Sequence, residues 1–192
     1  MQLIIVTGLS GSGKSIVLKA LEDSGYYCID NLPATLLPQI SQHLGTKDSG
    51  VAHQDRVAIS IDTRSAALET LPDNIEQLKA QGIAVQVIFL ESNVETLVKR
   101  FSETRRRHPL SDEKTTLAES IQHERDLLVQ LADLGHRIDT SDLSANTLRS
   151  WVKDFIAHEK SGLTLLFASF GFKHGIPLDA DGMRMDVLAS TL

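Results

Sequence analysis

The chemistry of this chain concentrates in Gly8-Leu9-Ser10-Gly11-Ser12-Gly13-Lys14-Ser15. Every fixed position matches G-x-x-x-x-G-K-[ST], the phosphate-binding loop. Glycines let such a loop turn its backbone N–H groups inward around phosphate oxygens without Cβ clashes. The helix that follows adds a positive end and unpaired N–H donors. By motif position Lys14 reaches the β and γ phosphates as a point charge, and the Ser15 hydroxyl ligates Mg²⁺. The motif means this only between a strand and a helix. Leu3 to Val6 supply a short apolar, β-branched strand, and Ile16, Val17, Leu18, Ala20 and Leu21 continue as a helix closing near Gly25.

A phosphate loop also needs an acid near the metal, usually at a strand end. Asp30 follows the candidate strand Tyr26–Ile29, and Asp62 follows Val57–Ile61. Asp62 is preferred because its strand is the cleaner one; either carboxylate would also serve as a helix cap or turn residue. Lys99, Arg100, Arg105, Arg106 and Arg107 lie close together with Glu103 the only acid among them. Three readings fit: a lid closing on a triphosphate, with Arg105 and Arg106 stabilising charge in transfer; a contact for RNA or protein; or a solvated helix C-terminus. Cys28 inside an apolar strand and Trp151 on an apolar helix face read as core. The seven histidines have no zinc-site spacing.

The remaining pattern places these residues in an α/β fold, a parallel sheet flanked by helices. Val85–Leu90 is a buried strand. Leu36, Leu37 and Ile40 suggest a helix after Pro33, and Pro72 starts a fresh helix through Ile75 and Leu78. Val94, Leu97, Val98 and Phe101 form a helical face, with Ser92 and Glu95 a candidate capping box. A second box, Thr116 to Glu119, opens a helix through Leu117, Ile121, Leu128 and Leu131, and Gly135 is its expected stop. Arg137–Thr140 is a short strand. Leu148, Trp151, Val152, Phe155 and Ile156 make the last helix. The polar stretch Gly45–Asp55 reads as a surface loop. The pattern changes at Lys160-Ser161-Gly162, so residues 1–160 are expected to form the nucleotide domain and 161–192 the incomplete start of a second.

With 192 residues, 42% hydrophobic and 23% charged, the chain is long enough for one such domain. One cysteine excludes an internal disulfide framework. Apolar runs are too short to span a membrane, and the N-terminus has no secretory leader, so a cytoplasmic protein is expected. A net charge of −6 means that any nucleic-acid contact must be local.

Four segments together carry a resemblance: Gly8–Ser15, Gly25-Tyr26-Tyr27-Cys28-Ile29-Asp30-Asn31-Leu32-Pro33, Glu103-Thr104-Arg105-Arg106-Arg107-His108-Pro109-Leu110, and Ser169-Phe170-Gly171-Phe172-Lys173-His174-Gly175. They resemble the RapZ/YvcJ family of bacterial nucleotide-binding proteins, to about Asp181. The resemblance implies a kinase-like P-loop domain that binds ATP and GTP with Mg²⁺ and hydrolyses them weakly, as a regulatory protein. The ATP site carries over to Gly8 through Ser15. A GTP-associated Asp-x-Arg-x stretch matches Asp62-Thr63-Arg64-Ser65, in agreement with the choice of Asp62. In the enterobacterial branch the full-length protein is an RNase adapter that delivers a small regulatory RNA to an endoribonuclease. Four departures stand out. Family members are about half as long again, with a C-terminal RNA-binding domain. Ala168 replaces their acidic residue, and Gly182–Leu192 diverges, as a truncated or frame-shifted sequence would. Gly45–Gln54 looks longer than in the enterobacterial members. The alternative function is a small-molecule kinase, for which Asp30, Asp62 and the arginines would suit; an oligomer is compatible with either.

Overall fold

The computed structural model describes residues 1–40, 55–65, 67–112 and 114–158. Most of the expected Gly45–Asp55 loop, the boundary at Lys160 and the second-domain fragment 161–192 lie outside the described residues.

Five strands form one sheet: β1 Gln2–Gly8, β2 Tyr27–Ile29, β3 Arg56–Ser60, β4 Ala84–Glu91 and β5 His136–Asp139. Their order is β2-β3-β1-β4-β5, and every pairing is parallel. β1 therefore lies in the middle, with Ile4 opposite Ala58 on one side and Gln86 on the other. A central parallel strand is covered on both faces, which is why Leu3, Ile4, Ile5 and Val6 are all apolar. Each is at most 1% exposed, and burial of each contributes about 1.5–3 kcal/mol.

Helices α1 (Lys14–Asp23), α2 (Leu71–Ala80), α3 (Val94–Thr104), α4 (Leu117–Leu128) and α5 (Ala145–His158) divide between the faces. Leu3 and Ile5 pack with Ile75 and Leu78 of α2, Leu97 of α3, and Ile121 and Leu128 of α4. Ile4 and Val6 pack with Val17, Leu18 and Leu21 of α1 and with Leu148, Val152 and Ile156 of α5. The alternation along β1 thus sends successive side chains into two different cores.

Local signals explain most boundaries. Pro72 sits in the first turn of α2, after a 3₁₀ turn at Leu68–Thr70. Thr116 and Glu119 form both arms of the expected box: Glu119 N–H donates to Thr116 Oγ1 at 3.2 Å, and Thr116 N–H to Glu119 Oε2 at 2.7 Å. The other cap differs. α3 is capped by Asn93, whose Oδ1 accepts from Thr96 N–H at 2.8 Å. Ser92 instead lies just past the end of β4 and is buried, 2% exposed. After Pro33 the chain makes a 3₁₀ turn, Ala34–Leu36, and continues as α-helix over 37–40, as expected of Leu37 and Ile40.

Gly135 does not end α4. That helix stops at Leu128 and is followed by a 3₁₀ segment, Val129–Leu134. Gly135 is extended, and a Cβ there would stand 2.3 Å from the Val87 carbonyl oxygen, so close strand approach demands it. Trp151 and Cys28 are only half-buried; both pack against the edge of the core between the sheet, α1 and α5, and Trp151 also stacks on Phe155 at 5.0 Å.

Candidate functional site

The loop from Gly8 to Ser15 leaves the C-terminal end of β1 and runs directly into α1. Gly8, Gly11 and Gly13 have φ values of 128°, 84° and 110°, so the motif glycines stand where a side chain would be strained. Gly13 caps α1 without a side chain, which leaves the helix entrance open to an anion.

Side chains from four elements tether the loop. Lys14 Nζ donates back to the carbonyls of Gly8 at 2.6 Å and Leu9 at 3.0 Å. Arg100 of α3 donates to Gly11 O at 3.1 Å and to Thr140 O at 2.6 Å. Thr140, just after β5, donates to Ser12 O at 2.8 Å. Glu124 of α4 accepts from both Ser10 N–H at 2.8 Å and Ser10 Oγ at 2.7 Å. With its carbonyls held by Lys14, Arg100 and Thr140, the loop is organised before any ligand arrives. Burial pushes the Lys14 ammonium below its ordinary pKa; the carboxylates of Glu124, Asp62 and Asp30 oppose that.

The loop forms one wall of a cleft of about 660 Å³. Lys14, Ser15, Asp30, Asp62, Arg64, Arg100, Arg106 and Arg107 all line it. Arg105 does not; it takes the left-handed conformation at the end of α3, φ 52°. Among the described residues, Arg106 and Arg107 have no ion-pair partner, and with Lys14, Arg64 and Arg100 they outnumber the carboxylates of Asp30, Asp62 and Glu103, so the cleft lining is net positive. Arg100, grouped by sequence with the lid arginines, is instead committed to the loop's backbone.

The segment 62–65 splits into two roles. Asp62 and Arg64 face the cleft as a fork: Arg64 Nε donates to Asp62 Oδ2 at 3.0 Å and Nη2 to the same oxygen at 2.7 Å, while Arg64 N–H takes Oδ1 at 3.0 Å. Thr63 turns inward and donates to Glu124 Oε1 at 2.7 Å. The Ser65 hydroxyl accepts from Ala34 N–H at 2.6 Å. Loop and segment therefore share one cleft, and two of the four segment residues have internal partners.

For Mg²⁺ the donors present are hard oxygens, as that ion requires. Ser15 is exposed in the cleft, and Ser60 Oγ, also lining it, is buried without a partner. An unpaired hydroxyl beside Asp62 fits a hydrated cation. No group of three or more His, Cys, Asp or Glu side chains among the described residues forms a cage, so such an ion would arrive with a ligand's phosphates. Asp62 would first have to share its carboxylate with Arg64.

Sequence reasoning missed Glu124 and His108. Both side chains are fully buried, 3.1 Å apart between His108 Nε2 and Glu124 Oε2. A signal existed: Glu124 occupies the i+3 position after Ile121 and i−4 before Leu128, on the apolar stripe of α4. A charge there must be paired.

The comparisons with known proteins agree with this geometry. A shikimate kinase from Acinetobacter baumannii, in complex with shikimate, superposes with a TM-score of 0.53 at 18% identity, covering 83% of this chain and 94% of that one. The YorR protein of Bacillus subtilis, in complex with phosphorylated GDP, gives 0.55 at 18% identity, covering 84% and 99%. At that identity they show the shared fold, a P-loop kinase-like parallel sheet. Proteins named nucleotide-binding protein from Methylobacillus flagellatus and Aromatoleum aromaticum are 74% and 60% identical over 94% of this chain. The chain spans 63% and 61% of their lengths. No helix among the described residues is long and apolar enough to cross a membrane. The family described as RapZ-like N-terminal domain matches residues 1–160, and with these relatives it shows that the chain belongs to the RapZ-like family of nucleotide-binding proteins.

Proposed function

We propose that this chain binds ATP and GTP with Mg²⁺ in the cleft and hydrolyses them slowly, as a cytoplasmic regulatory protein. The observation that carries the reading is the tethered loop: its carbonyls are engaged by Lys14, Arg100 and Thr140, and the cleft beyond it is lined by the unpaired cations Arg106 and Arg107. Lys14 leaves the Gly8 and Leu9 carbonyls for the β and γ phosphates, and Arg106 and Arg107 offset the remaining charge. Mg²⁺, held by Ser15 and Asp62, would polarise the terminal phosphate. Slow turnover is consistent with Asp62, the strand-end acid, being engaged by Arg64 instead of free to orient water. Calorimetry with ATP and with GTP tests this. Wild type should bind and Lys14→Ala should not; equal binding by both removes the loop from the site.

One observation favours a small-molecule kinase as the second reading. Asp30 lines the same cleft, is exposed, and has no hydrogen-bond or ion-pair partner among the described residues. Such a carboxylate suits an acceptor hydroxyl. A metabolite screen for acceptor-dependent ADP release separates the readings, since only a kinase accelerates with an acceptor. Small-RNA delivery to an endoribonuclease is proposed for the longer relatives; for this chain, RNA affinity that falls steeply with salt would be its sign.

A further inference from the structure

The carboxylate of Glu124 is filled on all four lone-pair positions. Oε2 accepts from Ser10 N–H at 2.8 Å and faces His108 Nε2 at 3.1 Å. Oε1 accepts from Ser10 Oγ and Thr63 Oγ1, both at 2.7 Å. The histidine's tautomer follows from its other nitrogen. Leu110 N–H donates to Nδ1 at 3.2 Å, so Nδ1 is the acceptor and the proton sits on Nε2, pointing at Glu124. One buried atom group thus joins the phosphate loop, the 62–65 segment and the chain just past Arg107.

That last join has the most consequence. Arg105, Arg106 and Arg107 are three exposed residues strung between two fixed points. One is the end of α3, where Phe101 lies against the His108 ring at 5.3 Å. The other is His108 itself, 3% exposed. With both ends held, Arg106 and Arg107 stay on the cleft wall.

We propose that Glu124, through His108, is a positioning residue that holds the arginine arm in register with the phosphate loop. An occupied loop and a closed arm are then one linked state, which rests on the reading of the cleft as a nucleotide site. Ground-state binding depends mainly on the loop. Turnover depends also on arginines placed where charge develops.

Limited trypsin digestion of the full chain tests this, because trypsin cleaves after arginine and the arm is exposed. Without nucleotide, Glu124→Ala and His108→Ala should be cut at the arm at least about 10-fold faster than wild type. With a non-hydrolysable ATP analogue and Mg²⁺, wild type should gain protection and both variants should not. In turnover, kcat should fall about 10-fold or more while KM changes less than about 3-fold. Glu124→Gln should restore protection. Its Oε1 can accept from Ser10 N–H and His108, while its NH₂ meets the Ser10 and Thr63 hydroxyls, which can rotate to accept. His108→Ala leaves Ser10 and Thr63 their acceptor, so it serves where Glu124→Ala does not fold. Wild-type rates of arm cleavage in His108→Ala overturn the proposal, as does a Glu124→Gln protein that behaves like Glu124→Ala. The digestion without ligand is independent of the nucleotide reading: wild type that binds neither ATP nor GTP refutes that reading, while unchanged cleavage refutes this one.

Discussion

Replacing Gly8 by alanine should be the most damaging single change in the phosphate loop, and the damage should be to the fold. A Cβ at Gly8 would lie 2.0 Å from the Leu90 carbonyl oxygen and 2.6 Å from its nitrogen. Ordinary contact is about 3.5 Å, so the backbones of β1 and β4 must part by more than about 1 Å. Both neighbours are main chain, so no side chain can yield. Parting removes the bond from Leu9 N–H to Leu90 O, now 2.9 Å, and frays the pairing of Thr7 with Phe89. Two such bonds are worth about 2 kcal/mol, and an alanine at φ 128° adds about 1–3 kcal/mol of strain. The total, about 3–5 kcal/mol, is a large part of a stability of about 5–15 kcal/mol. Gly11→Ala is the control. Its φ is also positive, 84°, but its Cβ would meet only the Phe101 ring at 3.2 Å and Leu97 Cδ2 at 3.4 Å. Side-chain tips can shift, and the cost should stay near 1–2 kcal/mol. In urea denaturation followed by circular dichroism, with a slope of about 2 kcal/mol/M, Gly8→Ala should lower the midpoint by about 2 M and Gly11→Ala by under 1 M. Equal midpoints for the two variants would show that the strand approach at Leu90 is not what the glycine serves.

Acid should expose Glu124. Burial pushes its carboxyl up, but hydrogen bonds from His108, Thr63 and Ser10 outweigh that and bring it down to about 2. A folded value below the unfolded one gives stability that is complete above about 4.5 and is lost as pH falls toward 2, about 3 kcal/mol in all; Glu124→Gln should flatten that part of the stability–pH curve, and an unchanged slope would assign acid sensitivity elsewhere. Asn93→Ala should cost about 1 kcal/mol, or about 2–4 °C in Tm, while Asn93→Asp keeps the cap; calorimetric scans of both decide it. Burial, with the nearby Glu22 carboxylate, pushes the Cys28 thiol up to about 11 from 9.0, so alkylation by iodoacetamide at pH 8 should run about 100-fold slower than in the urea-unfolded chain. Comparable rates in both states would mean that the thiol is solvated.

How much of this was legible depended on whether the information was local. The loop, its strand and its helix lie in one stretch, and the Thr116 box spans four residues, so both could be read directly. Asp62 and Arg64 were found as a pair of types, but not as a fork that neutralises the acid. Ser92 and Asn93 are both good cap residues; which one caps α3 depends on where β4 ends, and tertiary pairing with β5 sets that. Gly135 looked like a helix stop because glycine is common there, whereas the Val87 carbonyl that requires it lies 48 residues earlier in sequence. Ser10 and Glu124 are 114 residues apart, and only the fold brings them together. The one trace in the sequence was an acid on an apolar stripe.

The sheet order has a consequence during synthesis. β1 is made before the other four strands of the sheet, and it needs partners on both sides. Arg56, its first β3 partner, follows about fifty residues after Gly8, a wait of roughly 2–10 s at about 5–20 residues per second. β4 comes later still. Through that interval Leu3 to Val6 form an apolar edge with both rows of backbone groups open, the kind of segment that pairs with other chains. The nucleotide loop cannot take shape until β4 has docked, because Leu9 hangs from Leu90. The nascent chain therefore completes its ligand site only as β1 gains its second partner, and holdase binding to ribosome-tethered chains should fall between the lengths that expose β3 and those that expose β4.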